Sequence, residues 1–157
     1  MKLNDIILQT PYLQLESDFY SLSNPQPLQE PYLVSFNKEA AKLIGLESTA
    51  GSDPSFIALL NGTFLPKGSR PFAMCYAGHQ FGHYNPWLGD GRACNLGSIN
   101  EWNLQLKGSG DTLYSRSADG RAALRSSIRE YLMSEAIDFL HNPKLVQKLL
   151  LLKHEEL

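Results

Sequence analysis

The sequence predicts an α+β domain in which a small antiparallel sheet carries a few helices. Three observations predict it. Trp102, Leu104 and Leu106 alternate with Asn103, Gln105 and Lys107, the two-residue period of a strand with one buried and one polar face. Leu124, Ile128, Tyr131, Leu132 and Phe139 recur at helical spacing. Before and between them, glycines at 89, 91, 97, 108, 110 and 120 punctuate the chain, so it reads as a glycine turn, a hairpin, a lysine-tipped strand, a polar loop and an arginine-bearing helix.

The remaining elements follow in chain order. Residues 1 to 36 are proline-marked and irregular up to a short strand at Tyr32–Phe36. Asn37 is a side-chain cap for a helix over Lys38–Ile44, which Gly45 closes. Asp53 followed by Pro54 opens a second helix to Leu60, with Gly62 beyond its end. Pro71–Tyr76 reads as a strand, and Ala77–His83 as glycines flanking an aromatic. Ala93–Leu96 is strand-like, Ser98–Glu101 a turn, and the last helix begins at Asp119 or Gly120. We expect that helix to run from Arg121 to about Leu140 and to pack Leu124, Ile128, Leu132 and Phe139 on the sheet.

A chain of 157 residues, 43% hydrophobic and 19% charged, suits one domain with a real core. Its net charge of −2 argues against nucleic acid as a partner, though not against a local cationic pocket. The two cysteines, Cys75 and Cys94, form no CxxC and read as buried thiols in a reducing compartment. No signal peptide and no apolar run near membrane-spanning length is visible, so a cytoplasmic protein without membrane contact is expected.

The residues that could carry chemistry each have a plainer alternative. Gly89-Asp90-Gly91-Arg92 could bring backbone amides to a ligand without Cβ interference, or could simply turn a hairpin. Neither a Walker loop nor a dinucleotide fingerprint is present. Lys107 could be solvated, or could hold phosphate, since a glycine hairpin, a lysine-tipped strand and a helix are how kinase-type lobes hold nucleotides. Arg121, Arg125 and Arg129 make a four-residue stripe that suits anions, either phosphates or the fold's own carboxylates. By periodicity Glu130 is solvated, on a face of small residues with Ala123, Ser126 and Ser134 that could approach another backbone closely. His79 and His83 lie between glycines with no third ligand nearby, so no metal site is assigned.

Several blocks together resemble the selenoprotein O (SelO) family, regarded as kinase-like protein adenylyltransferases. They are PYLVSFNKEAAKLIGL at 31–46, YAGHQFG at 76–82, LGDGRA at 88–93, LQLKGSG at 104–110 and YSRSADGRAALRSSIREYLMSEA at 114–136. The resemblance implies a protein-kinase-like (pseudokinase) fold, of which this chain would supply an N-lobe-like part. It implies binding of ATP in a flipped orientation and transfer of AMP to Ser, Thr or Tyr hydroxyls of partner proteins. It matches Gly89, Gly91, Arg92, Lys107, Asp119 and Gly120 to nucleotide-binding positions, and Glu130 to the partner of the strand lysine, against the solvated reading from periodicity. Mg2+ or Mn2+ is expected with ATP in the intact family member.

The departures shape the domain reading. The hairpin between Gly97 and Trp102 is short for the family, and Leu113 stands where the family has proline. After Ala136 the family continues into a large C-lobe, whereas this chain reads IDFLHNPKLVQKLLLLKHEEL. We therefore expect a nucleotide-binding lobe over residues 1–140 and a divergent Lys/Leu-rich tail over 141–157, helical after Pro143. No catalytic or metal-binding residue is expected in this chain, and self-association of the lobe is expected. The competing expectation is a non-catalytic nucleotide-binding or structural remnant.

Overall fold

The computed structural model describes residues 1–139 and 151–153. Among the described residues, eight strands and three α-helices follow in the order β1 (Tyr20–Leu22), β2 (Tyr32–Ser35), α1 (Lys38–Leu43), α2 (Pro54–Leu60), β3 (Phe72–Met74), β4 (Gly78–Gln80), β5 (His83–Asn85), β6 (Ala93–Ile99), β7 (Trp102–Lys107), α3 (Leu124–Phe139) and β8 (Leu151–Lys153). The architecture is mixed α and β. A four-stranded antiparallel sheet runs β1-β3-β6-β7, with two small two-stranded ladders, β2-β8 and β4-β5, beside it.

The capping residues act where the sequence places them. Asn37 Oδ1 accepts from Glu39 N at 3.0 Å and Ala40 N at 2.9 Å, which closes the start of α1. Asp53 Oδ1 accepts from Ser55 N at 2.8 Å at the start of α2, with Pro54 in the first helical turn. The β6-β7 hairpin is closed by Asn100 and Glu101, with Asn100 in the left-handed region at φ 54°. Its register shifts between Asn95 and Gly97, so Leu96 is the bulged residue.

The core lies between the β6-β7 face and the two short helices. Cys94, Leu96 and Leu106 meet Ala41, Ile44, Phe56 and Leu59 there, and Leu104 and Trp102 pack on its edge. Strand β7 therefore buries the face that its alternation predicts, whereas β6, paired on both sides, is buried along most of its length. The irregular N-terminal segment completes this core with Leu3, Ile6 and Leu8. It is fixed by bridges from Ile7 to Lys67 and from Gln9 to Ser98.

The last helix differs from expectation in two ways. It begins at Leu124, so Arg121 precedes it and the arginine stripe is not one helical row. Ile128 and Leu132 are 41% and 61% exposed, and no described side chain of α3 belongs to the core cluster. The half-buried and buried positions are Leu124, Ser126, Ser127, Glu130, Tyr131, Ser134, Glu135 and Ile137, so Leu124 is partly covered as expected but the small and polar residues make up most of the inward face. The small-residue face turns inward because Glu130 and Glu135 have partners on that side, the cations Lys107 and Arg92 for Glu130 and the Asn37 amide for Glu135. The side chain of Phe139 and the expected helix after Pro143 up to residue 150 lie outside the described residues. Leu151–Lys153 is a strand rather than helix, antiparallel to β2.

Three further strands were not legible. Tyr20–Leu22 pairs with β3 inside the segment read as irregular. The stretch from Gly78 to Asn85 is a hairpin, in which Gln80 faces His83 across Phe81 and Gly82.

Candidate nucleotide-binding site

Antiparallel pairing brings two cations of the sequence together. Ala93 on β6 faces Lys107 on β7, and Gly108 N donates to Arg92 O at 2.7 Å. The start of one strand thus lies beside the end of the other. From α3, Glu130 reaches over this edge. Lys107 Nζ lies 2.6 Å from Glu130 Oε2, and Arg92 Nη2 lies 3.9 Å from Glu130 Oε1. The Lys107–Glu130 pair expected from the family resemblance is present. Two cations against one carboxylate leave the cluster with excess positive charge, and all three side chains keep partial access to solvent. Such an edge can take an anion.

The turn that delivers Arg92 is clamped from within. Gly89 N donates to Tyr76 O at 3.1 Å, Asp90 N to Met74 O at 2.9 Å and Gly91 N to Gly89 O at 3.1 Å. The Asp90 carboxylate is buried, 7% exposed, and accepts from Met74 N, Tyr76 Oη and Asn95 Nδ2 at 3.0, 3.2 and 2.9 Å. Asn95 in turn accepts from Gln105 Nε2 at 3.0 Å, which ties the turn to β7. On the other side Thr112 Oγ1 donates to Asp90 O at 2.7 Å and Ser115 Oγ donates to Gly91 O.

This geometry changes the meaning of the glycines. A Cβ on Gly89 would lie 2.4 Å from the Tyr114 ring, and one on Gly91 would lie 2.9 Å from Tyr114 O. The space that side chains would fill is occupied by Tyr114, and the three turn amides already donate internally. The turn is a mount for Arg92 more than an open amide cradle. Around it the phenols resist ionisation. Burial, then the Asp90 charge, raises Tyr76. Burial, then Cys75, pushes Tyr114 up to about 12.

Asp119 and Gly120 sit on the loop that packs against the segment following Lys107. Gly120 is at φ 69°, and a Cβ there would lie 1.9 Å from Gly110 O, so only glycine fits this crossing. The exposed Asp119 carboxylate accepts from Arg121 N at 2.9 Å. Arg121 Nη1 donates to Gln26 O at 2.8 Å and reaches Gly108 O at 3.5 Å. The structure thus joins Arg92, Lys107 and Glu130 directly, and holds Asp119 and Gly120 on the adjoining loop.

Sequence reasoning missed Asn95, Gln105, Thr112, Tyr114 and Ser115 as supports of the site. One signal was available: Asn95 is a polar residue inside the apolar run Ala93–Leu96, and a buried amide needs partners. Three carboxylates near the site already have partners. Asp90 is committed to three donors, Asp111 accepts from Gln26, and Glu130 is held by Lys107. Among the described residues no group of three or more His, Cys, Asp or Glu side chains could hold a metal ion. Nor, among them, is any helix long and apolar enough to cross a membrane.

The chain is similar to known proteins. The family model described as "Protein adenylyltransferase SelO" matches residues 3–146. A protein nucleotidyltransferase YdiU from Thioalkalivibrio sulfidiphilus is 48% identical over 147 residues, which cover 90% of this chain and 30% of the relative. The protein of the same name from Photobacterium profundum is 46% identical, with 88% of this chain and 28% of the relative covered. One from Azoarcus is 47% identical, with 83% and 26% covered. The chain thus spans less than a third of the length of these relatives.

Proposed function

The chain belongs to the SelO family of protein adenylyltransferases, and on that premise we propose that it forms the nucleotide-binding part of an enzyme that transfers AMP from ATP to protein hydroxyls. The observation that carries this is the cationic edge built by Arg92 and Lys107 and oriented by Glu130. A strand lysine paired with a helix glutamate beside an antiparallel sheet supports reading the chain as the N-lobe of a kinase-like fold. In this reading the two cations take the phosphates, and Glu130 keeps the Lys107 ammonium aimed at them. Gly89 and Gly91 let Tyr114 pack, so that the turn presents Arg92. Asp119 and Gly120 bound the same site from the adjoining loop.

The transfer itself is a displacement at the α-phosphorus. A Ser, Thr or Tyr hydroxyl of the partner protein forms the new O–P bond, the bond to the β-phosphate oxygen breaks, and pyrophosphate leaves. Magnesium bound with ATP supplies charge neutralisation in such reactions. No described carboxylate of this chain is assigned to hold it. The setting is the cytoplasm, where the free thiols of Cys75 and Cys94 stay reduced.

Titration of the purified 157-residue chain with ATP tests this reading. Binding is expected, and it should weaken roughly ten- to a hundredfold in Lys107→Ala, the scale of one charge-assisted hydrogen bond. With labelled ATP, a divalent cation and a protein lysate, this chain by itself is expected to transfer no label. Absence of ATP binding by the folded wild-type chain would reject the nucleotide site and favour a structural role. Label transfer that vanishes in Lys107→Ala would show that these residues suffice for catalysis.

A further inference from the structure

We propose that Asn37 and Glu135 form a latch that positions α3, and through it Glu130, on Lys107. The inference rests on the nucleotide-site reading above and adds two positioning residues to it. No described side chain of α3 joins the core cluster: Ile128, Leu132 and Met133 are exposed, and Leu124, Tyr131 and Ile137 are only half-buried. Two carboxylates of α3 reach the rest of the lobe. Glu130 meets Lys107 on β7, and Glu135 Oε1 accepts from Asn37 Nδ2 at the start of α1.

Two such contacts do what one cannot. Residues five apart on a helix lie about 7.5 Å apart along the axis and about 140° apart around it. Glu130 alone would leave α3 free to roll and tilt about a single tether. With Glu135 held as well, both the rotation and the position of the helix are set, and the Glu130 carboxylate is presented to the strand.

Asn37 is suited to this double duty. It is 8% exposed, and its Oδ1 is already used by the amides of Glu39 and Ala40 as the cap of α1. Those two donors fix the amide's orientation, so the NH2 group must point away from them, toward Glu135. Asp, Ser or Thr would cap the helix as well but could not offer an amide donor in this way. The cap of one helix and the anchor of another are therefore the two ends of one side chain.

The substitution N37D separates these roles. It keeps a capping oxygen but sets a carboxylate against Glu135. E135Q combined with N37D restores a hydrogen bond with donor and acceptor exchanged. Amide hydrogen exchange of the chain without nucleotide is the first readout. N37D is expected to speed exchange across residues 127–137 roughly three- to tenfold while the α1 amides stay protected, and N37D/E135Q is expected to restore protection. ATP affinity is the second readout, with a loss in N37D of roughly three- to tenfold and recovery in the double variant.

Unchanged exchange of α3 in N37D, or a double variant no better than N37D, overturns the latch. A loss of protection throughout the lobe also overturns it, because that marks a general structural role. Should N37D fold poorly, N37S removes the donor without adding charge, and the same pattern confined to α3 is required of it. The exchange readout needs no nucleotide, so a wild-type chain that binds no ATP rejects the functional reading while the latch is still decided.

Discussion

At the residue scale, magnitudes separate what Glu130 does for stability from what it does for the site. Its side chain and that of Lys107 are about 30% exposed, at 30% and 29%. Ion pairs with that much solvent contribute about 0–1 kcal/mol to folding. Glu130→Gln should therefore leave the urea midpoint nearly unchanged while weakening ATP binding, because the lysine is no longer held in place. A large stability loss in that variant would mean that the pair is mainly structural. Two other residues set a pH limit. Burial, followed by the Asp90 charge, pushes the Cys94 thiol from 9.0 up to about 12. Tyr114 rises from 10.0 to about 12, again mainly through burial. Both groups are kept protonated by folding, so the stability linked to them is complete below their unfolded values and is lost as pH rises through the folded ones. The unfolding free energy should fall above about pH 9, by up to ~1.4 kcal/mol per pH unit for the Cys94 proton and by less for the partly exposed Tyr114. Between pH 9 and 10 the thiol dominates, so Cys94→Ala should flatten the slope there even if it lowers stability overall.

At the scale of the element, α3 contrasts with α2. Phe56 on α2 is fully buried, stacked edge-on against Phe36 with ring centroids 5.0 Å apart. Phe56→Ala should cost about 3–5 kcal/mol. On α3, Ile128 is exposed, and Ile128→Asp should change stability by less than ~1 kcal/mol. Chemical denaturation of the two variants side by side tests the assignment of faces. An Ile128→Asp variant that unfolds would show that the apolar stripe packs after all. The helix was legible as a helix because its spacing is local. Its buried face was not, because Glu130 and Glu135 are drawn inward by partners far away in sequence.

For the whole molecule, the N-terminal segment weighs more than its irregular sequence suggests. Leu3, Ile6 and Leu8 lie in the same core as β6 and α2. Ile6→Ala should cost about 2–5 kcal/mol, a large part of the ~5–15 kcal/mol typical of a domain, and would appear as a lowered urea midpoint. Large apolar side chains are also exposed: Phe81 at the tip of the β4-β5 hairpin is 91% exposed, and Tyr84, Trp87 and Leu113 are exposed too. Self-association of this chain is accordingly expected to grow with concentration in sedimentation velocity and to diminish in Phe81→Ser/Trp87→Ser. A monomer at all concentrations would contradict it.

What the sequence determined by itself was local or repetitive. The Asn37 and Asp53 caps, the start of α2 at Pro54 and the alternation along β7 each depend on a few neighbouring residues, and each stands in the structure as read. The motif blocks were enough to identify the family and, through it, to pair Lys107 with Glu130. Only the tertiary structure decided what those motifs do physically. It turned the Asp90 carboxylate inward onto Met74, Tyr76 and Asn95, and filled the Gly89 gap with Tyr114. It also set the polar face of α3 inward and made the N-terminal segment part of the core. Each of these depends on contacts between residues far apart in the chain, where no period or cap signals the partner. A buried polar group is satisfied by whichever donor or acceptor the packed fold brings to it.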